Sequence, residues 1–159
     1  MVQISQRQGL KQGVLILLGV ALAGAWLMLS QNQHESPFQM IFDNGALIKV
    51  EVADTPATRE RGLSGRPGLN DHEGLLFVFE RPDRYAFWMK DMNFKIDILW
   101  FNEQCALLDL TEDLAPDTYP NIYRPPAPAK YVLETRPGWA QTNQVGLGTK
   151  FDCPSPRIK

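Results

Sequence analysis

Lys90 and Asp97 are the residues of this chain whose setting most needs a chemical reason. They lie in Glu73 to Phe101, EGLLFVFERPDRYAFWMKDMNFKIDILWF, among apolar and aromatic side chains of the strand-forming kind. A carboxylate in a half-buried sheet is costly unless it is paired or hydrogen-bonded, so the stretch marks a structural polar network or a ligand site. Side-chain alternation puts Trp88 and Lys90 on one face and Phe87 and Met89 on the other. By the same rule Asp97, Leu99 and Phe101 face together, opposite Ile96, Ile98 and Trp100. Both sets are largely apolar, so Asp97 requires a cation or several backbone donors nearby. Arg61, Arg66 and Lys90 are available as cations, and Glu134 repeats the problem at the end of Tyr131-Val132-Leu133-Glu134. Two readings stand: the acids pin turns and fix strand register, or acids and cations converge on a small ligand with Trp88 as a stacking wall.

Catalysis would require more. Two carboxylates flanking a substrate can do general acid–base work, as in glycoside cleavage, and Asp97 with Glu134 or Glu73 are the candidates. No Gly-x-Ser-x-Gly elbow, phosphate-cradling glycine loop or histidine cluster supports another mechanism. His34 and His72 sit in polar segments and read as solvated, and Gly146-Leu147-Gly148 reads as a turn. Met89 and Met92 have thioethers suited to Cu(I), but beside Phe and Trp they fit core packing better. No cofactor is indicated. Cys105 and Cys153 are the only cysteines. In an oxidising compartment they can close a loop of about 50 residues, with a catalytic thiol as the alternative reading.

The compartment is suggested by Gly13 to Ser30, GVLILLGVALAGAWLMLS, which carries no charge and is long enough to cross a bilayer as a helix. Arg7 and Lys11 precede it and no Lys or Arg follows before Lys49, so the positive-inside tendency leaves residues 1–12 cytoplasmic and the rest outside. The rival reading is a cleaved signal peptide, with small-residue sites at Ala21-Leu22-Ala23 and Ala23-Gly24-Ala25. Residues 31–37 form a polar linker, and 38–159 are expected to be one extracytoplasmic domain. Residues 1–30 hold two basic and no acidic residues, so the remaining 129 carry a net −4 of the chain's −2. Without a basic run or stripe, nucleic acid is excluded as a partner on electrostatic grounds. The expected partners are the membrane, through residues 13–30, and a small ligand or an envelope protein.

The elements that must position these residues are short. Phe38 to Phe42 and Ala46 to Ala53 flank Asp43-Asn44-Gly45, a hairpin signal. Asp54-Thr55-Pro56 supplies a cap and a first-turn proline for a short helix to Leu63, ended by Gly62, Gly65, Pro67 and Gly68. Strands are expected at Leu75 to Phe79, Tyr85 to Met89, Ile96 to Phe101, Ala106 to Leu110, Lys130 to Glu134 and Lys150 to Cys153, with a helical turn at Trp139 to Gln144. The loop 115–128, APDTYPNIYRPPAP, is too proline-rich for a helix or central strand. It reads either as a stiff crossover or as a contact surface built from Tyr119, Tyr123 and Arg124. The whole predicts a mainly β (α+β) domain, a compact antiparallel or barrel-like sheet with one or two short helices, behind an N-terminal membrane helix.

Arg61-Gly62-Leu63 with Arg66, Glu73-Gly74-Leu75-Leu76-Phe77-Val78-Phe79, Phe87-Trp88-Met89-Lys90, Ile96-Asp97-Ile98 and Tyr131-Val132-Leu133-Glu134, in that order, resemble the prokaryotic family called domain of unknown function 192. The resemblance covers residues 46–152. It implies a small, mainly β, often exported domain and brings no established activity. The chain departs from the family pattern at Ser64, Asp91-Met92 and Lys95, where Met, Asn-Thr and Pro are common. Three functions follow: a ligand- or partner-binding module using Trp88, Lys90 and Asp97; a hydrolase or lyase acting on an envelope glycan through Asp97 and Glu134; and a scaffold that contacts a protein through loop 115–128.

Overall fold

The structure is a computed structural model that describes residues 38–153. The expected membrane segment 13–30, the linker 31–37 with His34, and residues 154–159 lie outside the described residues. Among the described residues no helix is long and apolar enough to cross a membrane.

Six strands form one mixed sheet: β1 (Phe38–Ile41), β2 (Leu47–Ala53), β3 (Glu73–Asp83), β4 (Ile96–Phe101), β5 (Leu107–Leu114) and β6 (Ala129–Thr135). Their order is β1-β2-β3-β6-β4-β5. The expected hairpin is present, with Ile41 opposite Leu47 and Gly45 at φ +86°, a conformation glycine adopts without steric cost. After it the all-antiparallel expectation fails, because β2 and β3 run parallel. Parallel neighbours need a crossover, and helix α1 (Pro56–Arg61) with the loop behind it supplies one. Thr55 caps α1, its Oγ accepting from the Thr58 N–H while the Thr58 side chain accepts from the Thr55 N–H.

Two further expectations need correction. Tyr85 to Met89 is not a strand; it makes one isolated bridge, Phe87 to Tyr123, because the chain turns away after β3. Nor does 150–153 add a strand, and the sheet is open rather than a barrel. Instead Phe151 bridges Phe42 beyond β1 and Lys150 bridges Ala106 before β5, so this short strap reaches both sheet edges. The Asp43 N–H donates to Lys150 O, the Asp152 N–H to Ile41 O and the Phe151 N–H to Cys105 O.

Each sheet face has its own core. One buries Met40, Ile48, Val50, Leu76, Leu99 and Phe101 beneath the strap and helix α2 (Trp139–Thr142). Phe151 sits at its aromatic centre, edge-on to Phe101 and Tyr131. The other buries Leu75, Phe77, Ile96, Ile98, Trp100 and Val132 beneath Leu63, Phe87 and Met89 from the loops. Met92 packs against this second core, so Met89 and Met92 fill apolar space. Among the described residues no group of three or more His, Cys, Asp or Glu side chains is arranged to hold a metal ion.

Cys105 and Cys153 are disulfide-bonded, with Cα atoms 5.7 Å apart. The bond fastens the strap to the turn before β5 and closes a 48-residue separation. A loop of that size corresponds to ~4 kcal/mol in the chain-entropy account. Cys153→Ser should therefore lower the urea midpoint of the oxidised protein, and reduction should bring the wild type to the level of the variant. Coincident curves before and after reduction would mean that the strap's hydrogen bonds and Phe151 hold it unaided.

Candidate functional site

Asp97 and Glu134 occupy neighbouring strands but serve opposite faces. In the β4–β6 ladder Asp97 pairs with Thr135 and Ile98 with Glu134. Directly paired residues share a face, so Glu134 lies with Ile98 and Asp97 lies on the other side with Leu99 and Phe101. The sheet itself therefore separates the two expected acid–base partners, and no single substrate can lie between them.

Asp97 is buried, and both its oxygens accept backbone hydrogen bonds. Oδ1 accepts from the Asp113 N–H at 2.8 Å and Oδ2 from the Gly138 N–H at 2.7 Å. Each donor belongs to an irregular backbone segment. Ile96 pairs with Leu114 but Ile98 with Thr111, so β5 carries one extra residue here, and Asp113 has φ +55°. Gly138, at φ +77°, is the N-cap of α2. The backbone donors anticipated for Asp97 are thus present, and none of the expected cations is bonded to it. Its placement also withdraws it from Trp88 and Lys90, whose side chains are exposed on the loop side of the other face.

Glu134 meets a different environment. Leu75 and Ile98 flank it in register, and Glu51 follows Leu75 in the same row across the parallel pair. Neighbouring strands are about 4.8 Å apart, so the two glutamates are separated by roughly two strand spacings with Leu75 between them. Over this row lies the loop after α1. Its Arg66 binds Glu51 bidentately, Nη2 to Oε2 at 2.8 Å. The Ser64 hydroxyl donates to Lys90 O, the Gly65 N–H to Asp91 O and Asn93 Nδ2 to Arg66 O, zipping this loop to residues 90–93. Gly74, next to this row in β3, belongs to the opposite face, where a Cβ would stand 2.9 Å from the Glu134 carbonyl oxygen and 3.0 Å from Leu133 Cδ1.

The glutamate is only 6% exposed, and its Oε2 is buried without a hydrogen-bond partner. Burial pushes its pKa from 4.5 up to about 8, opposed by the Arg66 charge. The Arg66 pKa is raised, first by its hydrogen bond to Glu51, against the opposing effect of burial, and then by the charges of Glu51, Glu134 and Glu73. The row thus sets a buried carboxyl, whose charged form is disfavoured, near the Arg66–Glu51 ion pair.

Of the residues expected to bind together, Arg66 and Glu134 are near enough for the arginine charge to act on the carboxyl, and Lys90 is tied through its carbonyl to Ser64 in the loop that carries Arg66. Arg61 is exposed on α1 with the Arg61 carbonyl accepting from the Ser64 N–H, while Trp88 points outward. Glu51 was not anticipated. In LIKVEVA it alternates as a solvated strand residue, and only the parallel pairing of β2 with β3 brings it into the row of Glu134, across Leu75. A shallow cavity of about 400 Å³ lies elsewhere, among Gln39, Leu47, Lys49, His72 and Asn143, and none of the expected site residues lines it.

Two outcomes are expected. Asn at position 97 would face one backbone N–H with its own amide donor, so Asp97→Asn should cost about 2–4 kcal/mol in urea unfolding; an unchanged midpoint would remove Asp97 from its structural role. For Glu134 the folded pKa is raised, so the favourable contribution of the neutral form is complete below about pH 4.5 and is lost as pH rises to about 8. Each pKa unit is worth about 1.4 kcal/mol. Wild-type stability should fall relative to Glu134→Gln between about pH 5 and pH 8, and parallel pH profiles would show that Glu134 ionises normally.

A sequence profile described as "Uncharacterized ACR", domain of unknown function 192, matches residues 39–153. No curated protein matches the chain. Similar solved structures include a Sinorhizobium meliloti 1021 protein described as a "putative transcription regulator", at 27% identity and TM-score 0.66, covering 72% of this chain and 89% of that one. Another is a protein of unknown function from Novosphingobium aromaticivorans DSM 12444, at 25% identity and TM-score 0.67, covering 74% and 84%. With well over half of the chain matched, the protein belongs to the family of domain of unknown function 192.

Proposed function

We propose that this domain binds a small, uncharged, acceptor-rich ligand, such as a sugar or a peptide carbonyl, at the Arg66–Glu134 row beneath the loop 62–70. The observation that carries the reading is the Glu134 carboxyl, buried with an unpartnered oxygen beside a partly exposed guanidinium. An unsatisfied buried polar group lowers stability, which favours a ligand that completes it. With its pKa pushed up by burial, the carboxyl is available near neutral pH to donate a hydrogen bond to such a ligand, while Arg66 offers N–H groups at the rim. The ionised Glu51 disfavours an anion.

Binding is favoured over hydrolysis because the acid–base pair required for an envelope glycan hydrolase is divided by the sheet. The regulator description of one structural neighbour is not carried over, since this acidic chain has no basic stripe for nucleic acid. An extracytoplasmic, membrane-tethered location belongs to the same proposal. It is supported by the uncharged run 13–30, its preceding basic residues and the Cys105–Cys153 bond, which suits an oxidising compartment.

The test is thermal unfolding of the full-length protein against envelope glycan fragments, monosaccharides, short peptides, and divalent and cuprous ions. A ligand at a hundredfold excess over its Kd adds ~2.7 kcal/mol to the native state. A sugar or peptide should raise the Tm of the wild type and leave folded Glu134→Gln unmoved. A flat panel, together with a Glu134→Gln variant more stable than wild type, would reduce the buried carboxyl to a packing feature.

A further inference from the structure

The bridge between Phe87 and Tyr123 creates a surface that the ligand site does not use. The Phe87 N–H donates to Tyr123 O at 3.0 Å and the Tyr123 N–H donates to Phe87 O at 2.9 Å. In such a pair the next residues, Trp88 and Ile122, stand opposite one another and point away from the side that Phe87 and Tyr123 bury. They are 52% and 55% exposed, and Tyr119 in the same loop is 50% exposed. The platform is fixed from behind: Arg84 Nε donates to Pro125 O at 2.8 Å and Arg124 Nη1 to Arg84 O at 3.0 Å. Lys90 and Arg124, both exposed, belong to the same two segments.

Clustered exposed apolar side chains mark a contact surface. We propose that Trp88, Ile122 and Tyr119 form a docking patch for the bilayer surface, with Lys90 directed at lipid headgroups. The occupant follows from chain length. If residues 13–30 cross the bilayer, seven residues, 31–37, separate them from Phe38 at the start of β1. Seven residues extend to about 25 Å at most, so the domain remains permanently next to headgroups. At that effective concentration even a weak patch is occupied. The composition fits as well: Trp and Tyr concentrate at the membrane–water boundary, and Lys and Arg favour anionic headgroups. This inference rests on the membrane-segment reading and is independent of the ligand proposed for Glu134.

The test uses full-length protein with fluorotryptophan, reconstituted in nanodiscs with and without gadolinium-chelating headgroup lipids, Trp88→Phe identifying the Trp88 resonance. Trp100 and Trp139 are buried in the two cores and serve as internal references. The expected result is loss of the Trp88 signal while those of Trp100 and Trp139 persist. The double variant Ile122→Ser with Tyr119→Ser, both at exposed positions, should weaken the Trp88 broadening without moving the Tm. Persistence of the Trp88 signal alongside the references would overturn the proposal and assign the patch to a protein partner. Failure of the full chain to float with vesicles would overturn it through the anchor, leaving the ligand reading intact.

Discussion

The carboxylate of Asp97 is the interaction on which the rest of this domain depends. It is buried against the sheet and ties β4 both to β5, at the bulge that interrupts their ladder, and to the start of α2. A charged acceptor held by two backbone donors is roughly twice as strong as a neutral pair, and a missing partner would leave a buried charge exposed to the low dielectric. By fixing Gly138, Asp97 also sets where Trp139 and Ala140 enter the core beneath the sheet. Its value lies in register rather than chemistry.

The two faces are closed by different means. On the Asp97 side, a short strap with Phe151 reaches both sheet edges and is fastened by the disulfide, so the core closes without a seventh strand. On the other side, loops do the covering. There the Ser64, Gly65 and Asn93 hydrogen bonds clip one loop to the next over Glu134. One face is thus closed by loops over a buried glutamate near a partly exposed arginine, the other by strap and disulfide.

Much of this was legible from residue order. The capped helix after Thr55, the hairpin at Asn44-Gly45 and the strand Ile96–Phe101 follow from local rules of capping, turn preference and alternation. Alternation also separated Phe87 and Met89 from Trp88 and Lys90 correctly, although the segment is no strand, because extended backbone alternates with or without a ladder partner. Strand Tyr85–Met89 and strand Lys150–Cys153 were overread for the same reason: an extended apolar run states its conformation but not its neighbour.

By itself the sequence determined the family, the mainly β composition, the acidity of the domain and the need for Asp97 and Glu134 to be satisfied. Those are properties of residue type and near neighbours. Only the tertiary structure decided that Asp97 is met by backbone donors while Glu134 is buried with Oε2 unpartnered in the field of Arg66, and that the two face opposite ways. The physical reason is strand order. Inserting β6 between β3 and β4, and running β2 parallel to β3, are long-range choices that place Glu51 in the row of Glu134 and send Asp97 to the other core.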